Sequence, residues 1–505
     1  MVKPFSFEVR ETDMMGRVGV MTVGKKSFET PCLTPVIHPV WRDIPLSQFK
    51  AMGFGILMTN SYILYKRNRS EALERGLHEL IGFDGVVMTD SGGYQVLEYG
   101  DTEFTPEEIA EFQSKIGSDL AVTLDKPTGY SNSRAYARET MGASLRAAEA
   151  TIGKFGDSDT VWVGPVQGGI FSDLVRSSAG GLVKAGFQVL ALGSPVELME
   201  GYLFSPLVEM IVNARKSMPY STPLHLFGAG HPLTLPLSVA LGCDTFDSAS
   251  YMLYAKKERY MTERGTLQLD RMTYLPCSCP VCNGTTVNDL RATPREDRVR
   301  KIALHNLHVL RADVLRCKEA ICEGRLWDLV EERAMAHTSA AVAFRALIRD
   351  HSEWLVKPTP LLKLRGLMVR SEEDTLRPEL SLARAHLERL LARRRAGRAR
   401  RTAVLVPSSA APPLTKSSGK IRRIKDLDRA DIYRINPQLG PYPAELEFVF
   451  PFAQTISDRV AAGSSVEACV KSLKRMGYAK VVVGGSAKGE VSKPRRSKLR
   501  RRLDA

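Results

Sequence analysis

The chain has 505 residues, of which 44% are apolar and 25% charged, the proportions of an ordinary folded protein with enough chain for two or more domains. Its formal net charge of +15 is unevenly spread: residues 1–350 hold 38 Lys+Arg and 41 Asp+Glu, whereas residues 351–505 hold the other 33 and 15. No apolar run approaches the ~20 residues of a membrane span, and MVKPFSFEVRET lacks the apolar stretch of a signal peptide. Membrane-embedded and secreted disulfide-bonded classes are therefore excluded, and a cytoplasmic chain is expected. A net −3 body joined to a net +18 third points to a polyanionic partner, nucleic acid ahead of a membrane surface because no amphipathic anchor is evident.

From residue 50 to 250 one pattern recurs, a short β-branched apolar run that stops at a polar residue or glycine and is followed by a helix-compatible segment. The runs are GILMTN (55–60), GVVMTD (85–90), DLAVTLD (119–125), VWVGPVQGG (161–169), FQVLALGS (187–194), LHLFGAG (224–230) and CDTFDS (243–248). Strands alternating with helices predict a parallel sheet, and this many units favour an α/β fold of the (β/α)8, TIM-type barrel kind over an open doubly wound sheet. In such barrels active sites lie at the C-terminal ends of the strands. The last polar residue of successive runs gives Asn60, Asp90, Asp125, Gln167, Ser194 and Asp247. Each taken singly is a natural turn or helix cap; their recurrence at strand ends predicts a ring converging on one small polar ligand.

Beyond the barrel, CSCPVCNG brings Cys277, Cys279 and Cys282 within six residues, and His305 and His308 follow on one face of a helical segment. Three thiolates and one imidazole make a closed tetrahedral Cys3His site, the structural kind of zinc site, with either histidine able to complete it. The other five cysteines are scattered, as in a reducing compartment. Residues 1–345 are expected to form the catalytic domain, including a zinc-binding region at 277–305. A helical basic region with a Pro/Ser linker (351–430), a small α+β domain (431–490) and a basic tail (491–505) are expected to follow. Six arginines crowd 393–401, and seven Lys/Arg crowd 493–502.

TDSGGYQ (89–95) sets Asp90 ahead of Ser91 and two glycines, with Tyr94 able to stack on a planar ring and Gln95 offering both donor and acceptor. FDSASY (246–251) supplies a second strand-end carboxylate, Asp247. A facing pair of carboxylates is what glycosidic-bond chemistry requires: one attacks or stabilises the anomeric carbon and the other handles the leaving group's proton.

Taken together, TDSGGYQ, TLDKPT, GPVQGG, LHLFGAGHP, DTFDSASY and CSCPVCNG, in this order and spacing, closely resemble the tRNA-guanine transglycosylases across residues 5–345, with FDSASY similar to the archaeal branch. The resemblance implies exchange of guanine 15 in the tRNA D-arm for 7-cyano-7-deazaguanine (preQ0), on the way to archaeosine. By the same resemblance Asp247 matches the nucleophile and Asp90 the general acid/base, two roles that sequence alone does not order. Asp125 and Gln167 match the residues that read the base edge, Tyr94 and Phe227 those that stack on it, and Gly193 and Ser194 the loop against its remaining edge. One structural zinc ion, a homodimer through the zinc region, and a separate PUA-type tRNA-binding protein are further implications. The last is one of two expectations, because long archaeal members carry a PUA domain and residues after 484 offer only the basic tail: either a separate chain supplies that function or the arginine clusters replace it in part. Two alternatives stay open: a non-catalytic tRNA-binding subunit, which usually lacks one of the aspartates, and a queuine- or preQ1-type transglycosylase.

Overall fold

The computed structural model describes residues 5–93, 104–395, 402–406, 430–458 and 461–483, so Tyr94, Gln95, most of the arginine run, most of the linker and the basic tail lie outside the described residues. The chain divides into two compact units, residues 1–360 and 361–505.

The first unit opens with an antiparallel meander that the strand-and-helix rhythm did not reveal, β1 (Phe5–Asp13), β2 (Gly16–Val23) and β3 (Lys26–Thr30). Eight parallel strands follow: β4 (Cys32–Pro35), β5 (Ile56–Asn60), β6 (Val86–Asp90), β7 (Leu120–Val122), β8 (Val161–Val166), β9 (Val189–Leu192), β10 (Leu224–Leu226) and β11 (Thr245–Ser248). Their order is β4-β11-β10-β9-β8-β7-β6-β5. A parallel bridge between Val36 and Met58, with the Ile37 N–H donating to the Met58 carbonyl at 2.8 Å, brings the two ends together as a barrel. The seven runs seen in the sequence are β5 to β11.

Side chains alternate across each strand. Ile56 and Met58, Val86 and Met88, Leu120 and Val122, Val161 and Val163, and Val189 and Ala191 fill the barrel with Met21, Val23 and Phe28 from the meander. Leu57, Val87, Ala121, Trp162 and Leu190, on the opposite parity, join the layer between strands and helices. With both faces buried, these strands read as continuous apolar runs. The same inward parity carries on to Asn60 on β5 and Asp90 on β6, which are register partners. Polar groups thus form the barrel's C-terminal layer because the apolar alternation ends there. A buried pair, Arg17 and Asp244, ties the meander to the start of β11: Arg17 Nε donates to Asp244 Oδ1 at 3.0 Å, and Asp244 Oδ2 accepts the Leu224 N–H at 2.8 Å.

After the barrel come a hairpin, β12 (Arg259–Thr262) and β13 (Gly265–Gln268), and a long helix, Arg295–Cys322. The helix Thr338–Asp350 runs through the domain end expected at residue 345, and the unit extends to 360. The second unit contains β14 (Leu367–Val369), β15 (Thr402–Val406), β16 (Ala430–Asn436), β17 (Gly440–Pro443), β18 (Thr455–Ser457) and β19 (Lys480–Val483), with helices Pro378–Arg395 and Val466–Arg475. Here the structure corrects the expected division at 430/431. β15 pairs in parallel with both β16 and β19, so residues on either side of that boundary share one sheet and one core (Ala403, Leu405, Tyr433, Ile435, Cys469, Leu473). No helix among the described residues is long and apolar enough to cross a membrane.

Candidate active site and metal centre

Asp90, Asp125, Gly193, Ser194, Phe227 and Asp247 line one cavity of about 790 Å³. Three carboxylates from β6, the segment after β7 and β11 are thereby brought together from positions 35 to 157 residues apart.

Asp90 is held by Asn60, whose Nδ2 donates to Asp90 Oδ2 at 3.0 Å while its Oδ1 caps the helix Ser61–Arg67 by accepting the Ile63 N–H at 2.9 Å. Cap and site residue are one side chain here. Burial first, then the neighbouring Asp125 and Asp247 charges, push the Asp90 carboxyl up to about 7, against the pull of the Ser91 and Gly92 backbone N–H groups. A carboxyl that titrates near neutrality carries a proton to or from a substrate efficiently.

Asp125 is pushed up by burial to about 6, opposed by its hydrogen bond from Gln167. Gln167 Nε2 donates to Asp125 Oδ2 at 2.5 Å, and its Oε1 accepts from the Thr128 N–H at 3.0 Å and the Ser194 hydroxyl at 3.1 Å. Gln167 is buried and its amide is engaged at both ends, so it holds Asp125 in place. Two glycines allow this close packing. A Cβ at Gly93 would fall 2.1 Å from Asp125 Oδ1, and one at Gly193 would fall 2.3 Å from Gln167 Nε2. Ser194 adopts φ 62°, a left-handed conformation unusual for a non-glycine residue and often found at functional sites. The Gly193 N–H donates to the Val166 carbonyl at 2.9 Å. Buried Ser91 turns its hydroxyl to the Thr123 carbonyl at 3.4 Å.

Asp247 is buried. Its Oδ1 accepts the Gly228 N–H at 2.8 Å and lies 3.1 Å from His225 Nε2. Phe227 is half-buried on the cavity wall, edge-on to His225 with ring centres 4.9 Å apart. Sequence reasoning missed His225 and Gly228; the available signal was the Leu-His-Leu alternation in LHLFGAG, which puts a histidine on the inward face of a strand.

The Cys277, Cys279 and Cys282 sulfurs and a His305 ring nitrogen all lie within 4.8 Å of one another. His305 Nε2 donates to the Met261 carbonyl at 2.8 Å, leaving Nδ1 facing the Cys279 and Cys282 sulfurs at 3.6 and 3.4 Å. Such an outer hydrogen bond fixes the tautomer of a metal-ligating histidine. Tyr260 stacks on the His305 ring at 3.6 Å. Of the two histidines open in the sequence, His305 joins the cluster. This donor set can hold a metal ion and joins the segment 277–282 to the helix Arg295–Cys322, while the Met261 carbonyl on His305 links in the β12–β13 hairpin.

Comparison with known proteins agrees with this geometry. The family model described as queuine tRNA-ribosyltransferase matches residues 13–339, which include the whole parallel barrel and the cysteine cluster. The chain is 44% identical to the tRNA-guanine(15) transglycosylase of Aeropyrum pernix over 76% of this chain and 75% of that protein. It is 39% identical to the protein of the same name from Methanosarcina mazei, over 88% of this chain and 86% of that protein. With the namesake from Thermococcus kodakarensis it shares 42% identity over 76% of its length, but it spans only 66% of that longer relative. A family match across nearly the whole first unit, and relatives this similar, show that the chain belongs to the queuine tRNA-ribosyltransferase family.

Proposed function

We propose that this protein is a tRNA-guanine(15) transglycosylase that exchanges the encoded guanine of the tRNA D-arm for preQ0 through a ribose–aspartate intermediate, as an archaeosine-forming enzyme. The observation that carries the proposal is the meeting of Asp90, Asp125 and Asp247 in one cavity with three different sets of partners. The Asp125 carboxylate, steadied by Gln167, suits the N1–H and 2-amino donors of a guanine-like base. Phe227 supplies a stacking face, and the Gly193–Ser194 backbone borders the other edge. Asp247 attacks ribose C1′; the C1′–N9 bond breaks, its electron pair passes to N9, and Asp90 delivers the proton there. For the second half, Asp90, now ionised, takes the N9 proton of the incoming base. N9 then attacks C1′ and the ester pair returns to Asp247. A group titrating near 7 can serve in both protonation states at neutral pH.

Cys277, Cys279, Cys282 and His305 would hold a zinc ion, which supplies a structural tie and takes no part in the exchange; the all-thiolate-and-imidazole donor set supports this metal over magnesium or calcium. A homodimer formed through the metal region belongs to the same proposal, supported by exposed Tyr274, three residues before Cys277, and exposed Leu267 on β13. So does tRNA binding by the basic second unit.

Incubating the full-length protein with tRNA and radiolabelled guanine tests the activity. Incorporation at position 15 supports it, and tRNA binding without incorporation overturns it in favour of a non-catalytic subunit. Denaturing-gel detection of a protein–tRNA adduct tests the roles: the adduct should vanish in Asp247→Ala, and its persistence there with loss in Asp90→Ala would reverse the two assignments.

A further inference from the structure

We infer that His225 is the positioning residue of the nucleophile, locked by Thr245 so that it holds one oxygen of Asp247 and leaves the other to attack; this rests on the role proposed above for Asp247. β10 and β11 are parallel, with His225 opposite Thr245 in register. Thr245 and Asp247 are two residues apart and share the inward face of β11. Their spacing places a hydroxyl and a carboxylate on the two sides of one imidazole. His225 Nδ1 lies 2.8 Å from Thr245 Oγ1 and Nε2 lies 3.1 Å from Asp247 Oδ1. An ionised carboxylate can only accept, so Nε2 carries the proton, and Nδ1 then accepts from the threonine hydroxyl. His225 is buried at 1% exposure with both nitrogens matched, and Phe227 packs edge-on against the ring. The tautomer and the ring plane are both fixed.

The consequence falls on Asp247. Its Oδ1 receives two N–H donors, from Gly228 and His225. These fix the carboxylate plane and engage Oδ1, and in this inference the second oxygen of Asp247, a residue that lines the cavity, is the attacking atom. When Oδ2 bonds to C1′, the electron pair of C1′–N9 leaves with the base and the Nε2 proton stays where it is. When the ester is cleaved by the incoming base, the same donor stabilises the carboxylate as it departs. His225 thus acts on both half-reactions without touching the base or transferring a proton.

A merely structural histidine would change folding or substrate affinity alone, so the test separates kcat from KM. In the full-length protein, His225→Phe should lower kcat for guanine exchange by about 30-fold or more, the equivalent of losing a hydrogen bond to a charged group, with KM for tRNA and base within about twofold. Adduct formation should slow to the same extent. His225→Gln, whose amide can reach the same oxygen, should recover at least about tenfold of that loss. Thr245→Val, which removes only the hydroxyl that fixes the tautomer, serves if His225→Phe does not fold, and should lower kcat about fivefold with KM unchanged. Wild-type kcat in folded His225→Phe, or in Thr245→Val if only that variant folds, would overturn the inference. So would a rise in KM at constant kcat. Asp247→Asn, run alongside, distinguishes the two levels: an adduct that survives in it removes the nucleophile assignment itself, whereas its loss there beside a wild-type His225→Phe removes only the role of His225.

Discussion

Replacing Asp90 with Asn should stabilise the protein while destroying its activity, and the stabilisation should appear only as the pH is raised. In the folded chain the Asp90 carboxyl titrates at about 7 instead of near 4, because burial and two neighbouring carboxylates disfavour its charge. A folded-state acid with a raised pKa binds its proton more tightly than the unfolded chain does. Folding therefore loses stability as pH rises from about 4, and the penalty is complete above about 7. The full displacement corresponds to up to about 4 kcal/mol at pH 8, and to almost nothing at pH 4. Asparagine keeps an oxygen for the Asn60 donor and removes the charge. The assay is urea unfolding of wild type and Asp90→Asn at pH 4.5, 6 and 8 or thereabouts, followed by tryptophan fluorescence. All four tryptophans (Trp41, Trp162, Trp327 and Trp354) lie in the first unit, so the signal reports the barrel. Taking the difference between the proteins removes the groups that titrate independently of Asp90 and leaves Asp90 with the two carboxylates coupled to it, Asp125 and Asp247. Guanine exchange should fall by ~100-fold or more, the scale of a missing general acid/base. A stability difference that is flat with pH, or one that favours wild type at pH 8, would refute the account of Asp90 as a strained proton carrier.

Three further outcomes are expected. Asp125 must be ionised to accept the base's donors, and burial raises it to about 6, so KM for the free base should fall as pH rises through about 6 and then level; Asp125→Asn should raise that KM by about 10- to 100-fold. Cys279→Ser should lower metal content and melting temperature together, measured by elemental analysis and calorimetry, and a stably folded, metal-free variant with full activity would contradict a structural tie. Deleting residues 491–505, which lie outside the described residues and include seven Lys/Arg at 493–502, should weaken tRNA binding and flatten its dependence on log salt by about 0.7–0.9 for each phosphate that is no longer neutralised, while equal slopes would remove the tail from tRNA binding.

The barrel was legible because strands buried on both faces leave unbroken apolar runs, and because each run of β5 to β11 ends where a polar side chain takes the next inward position. β4 was not. Cys32–Pro35 is four residues long with a proline, and it resembles a loop until β5 and β11 are known to lie on either side of it. The meander was hidden for a different reason: β1 alternates between exposed and half-covered residues, with glutamates and an arginine facing out, and has no strand–helix rhythm around it. At the metal cluster, a spacing of three residues put His305 and His308 on one helical face, and contacts remote in sequence, the Met261 carbonyl and the Tyr260 ring from the hairpin, distinguish His305. Gln167 could be found at a strand end, but its engagement by Thr128, Ser194 and Asp125 depends on three other segments.

The same limit explains why sequence could not order the two aspartates. Asp90 and Asp247 are one residue type, each at the end of an inward-facing strand, and nothing within a few positions of either assigns a role. The difference is made across the barrel. Around Asp90 the fold gathers Asp125 and Asp247, which raise its affinity for a proton, and provides an amide from Asn60 to aim it. Around Asp247 it gathers two N–H donors on one oxygen, from residues that are local to β10 and remote from β11 in sequence. A carboxyl that holds its proton near neutrality is suited to moving protons, and a carboxylate clamped on one side is suited to presenting the other to an electrophilic carbon. On the roles proposed for them, exchanging the neighbours, rather than the aspartates, should exchange proton carrier and nucleophile.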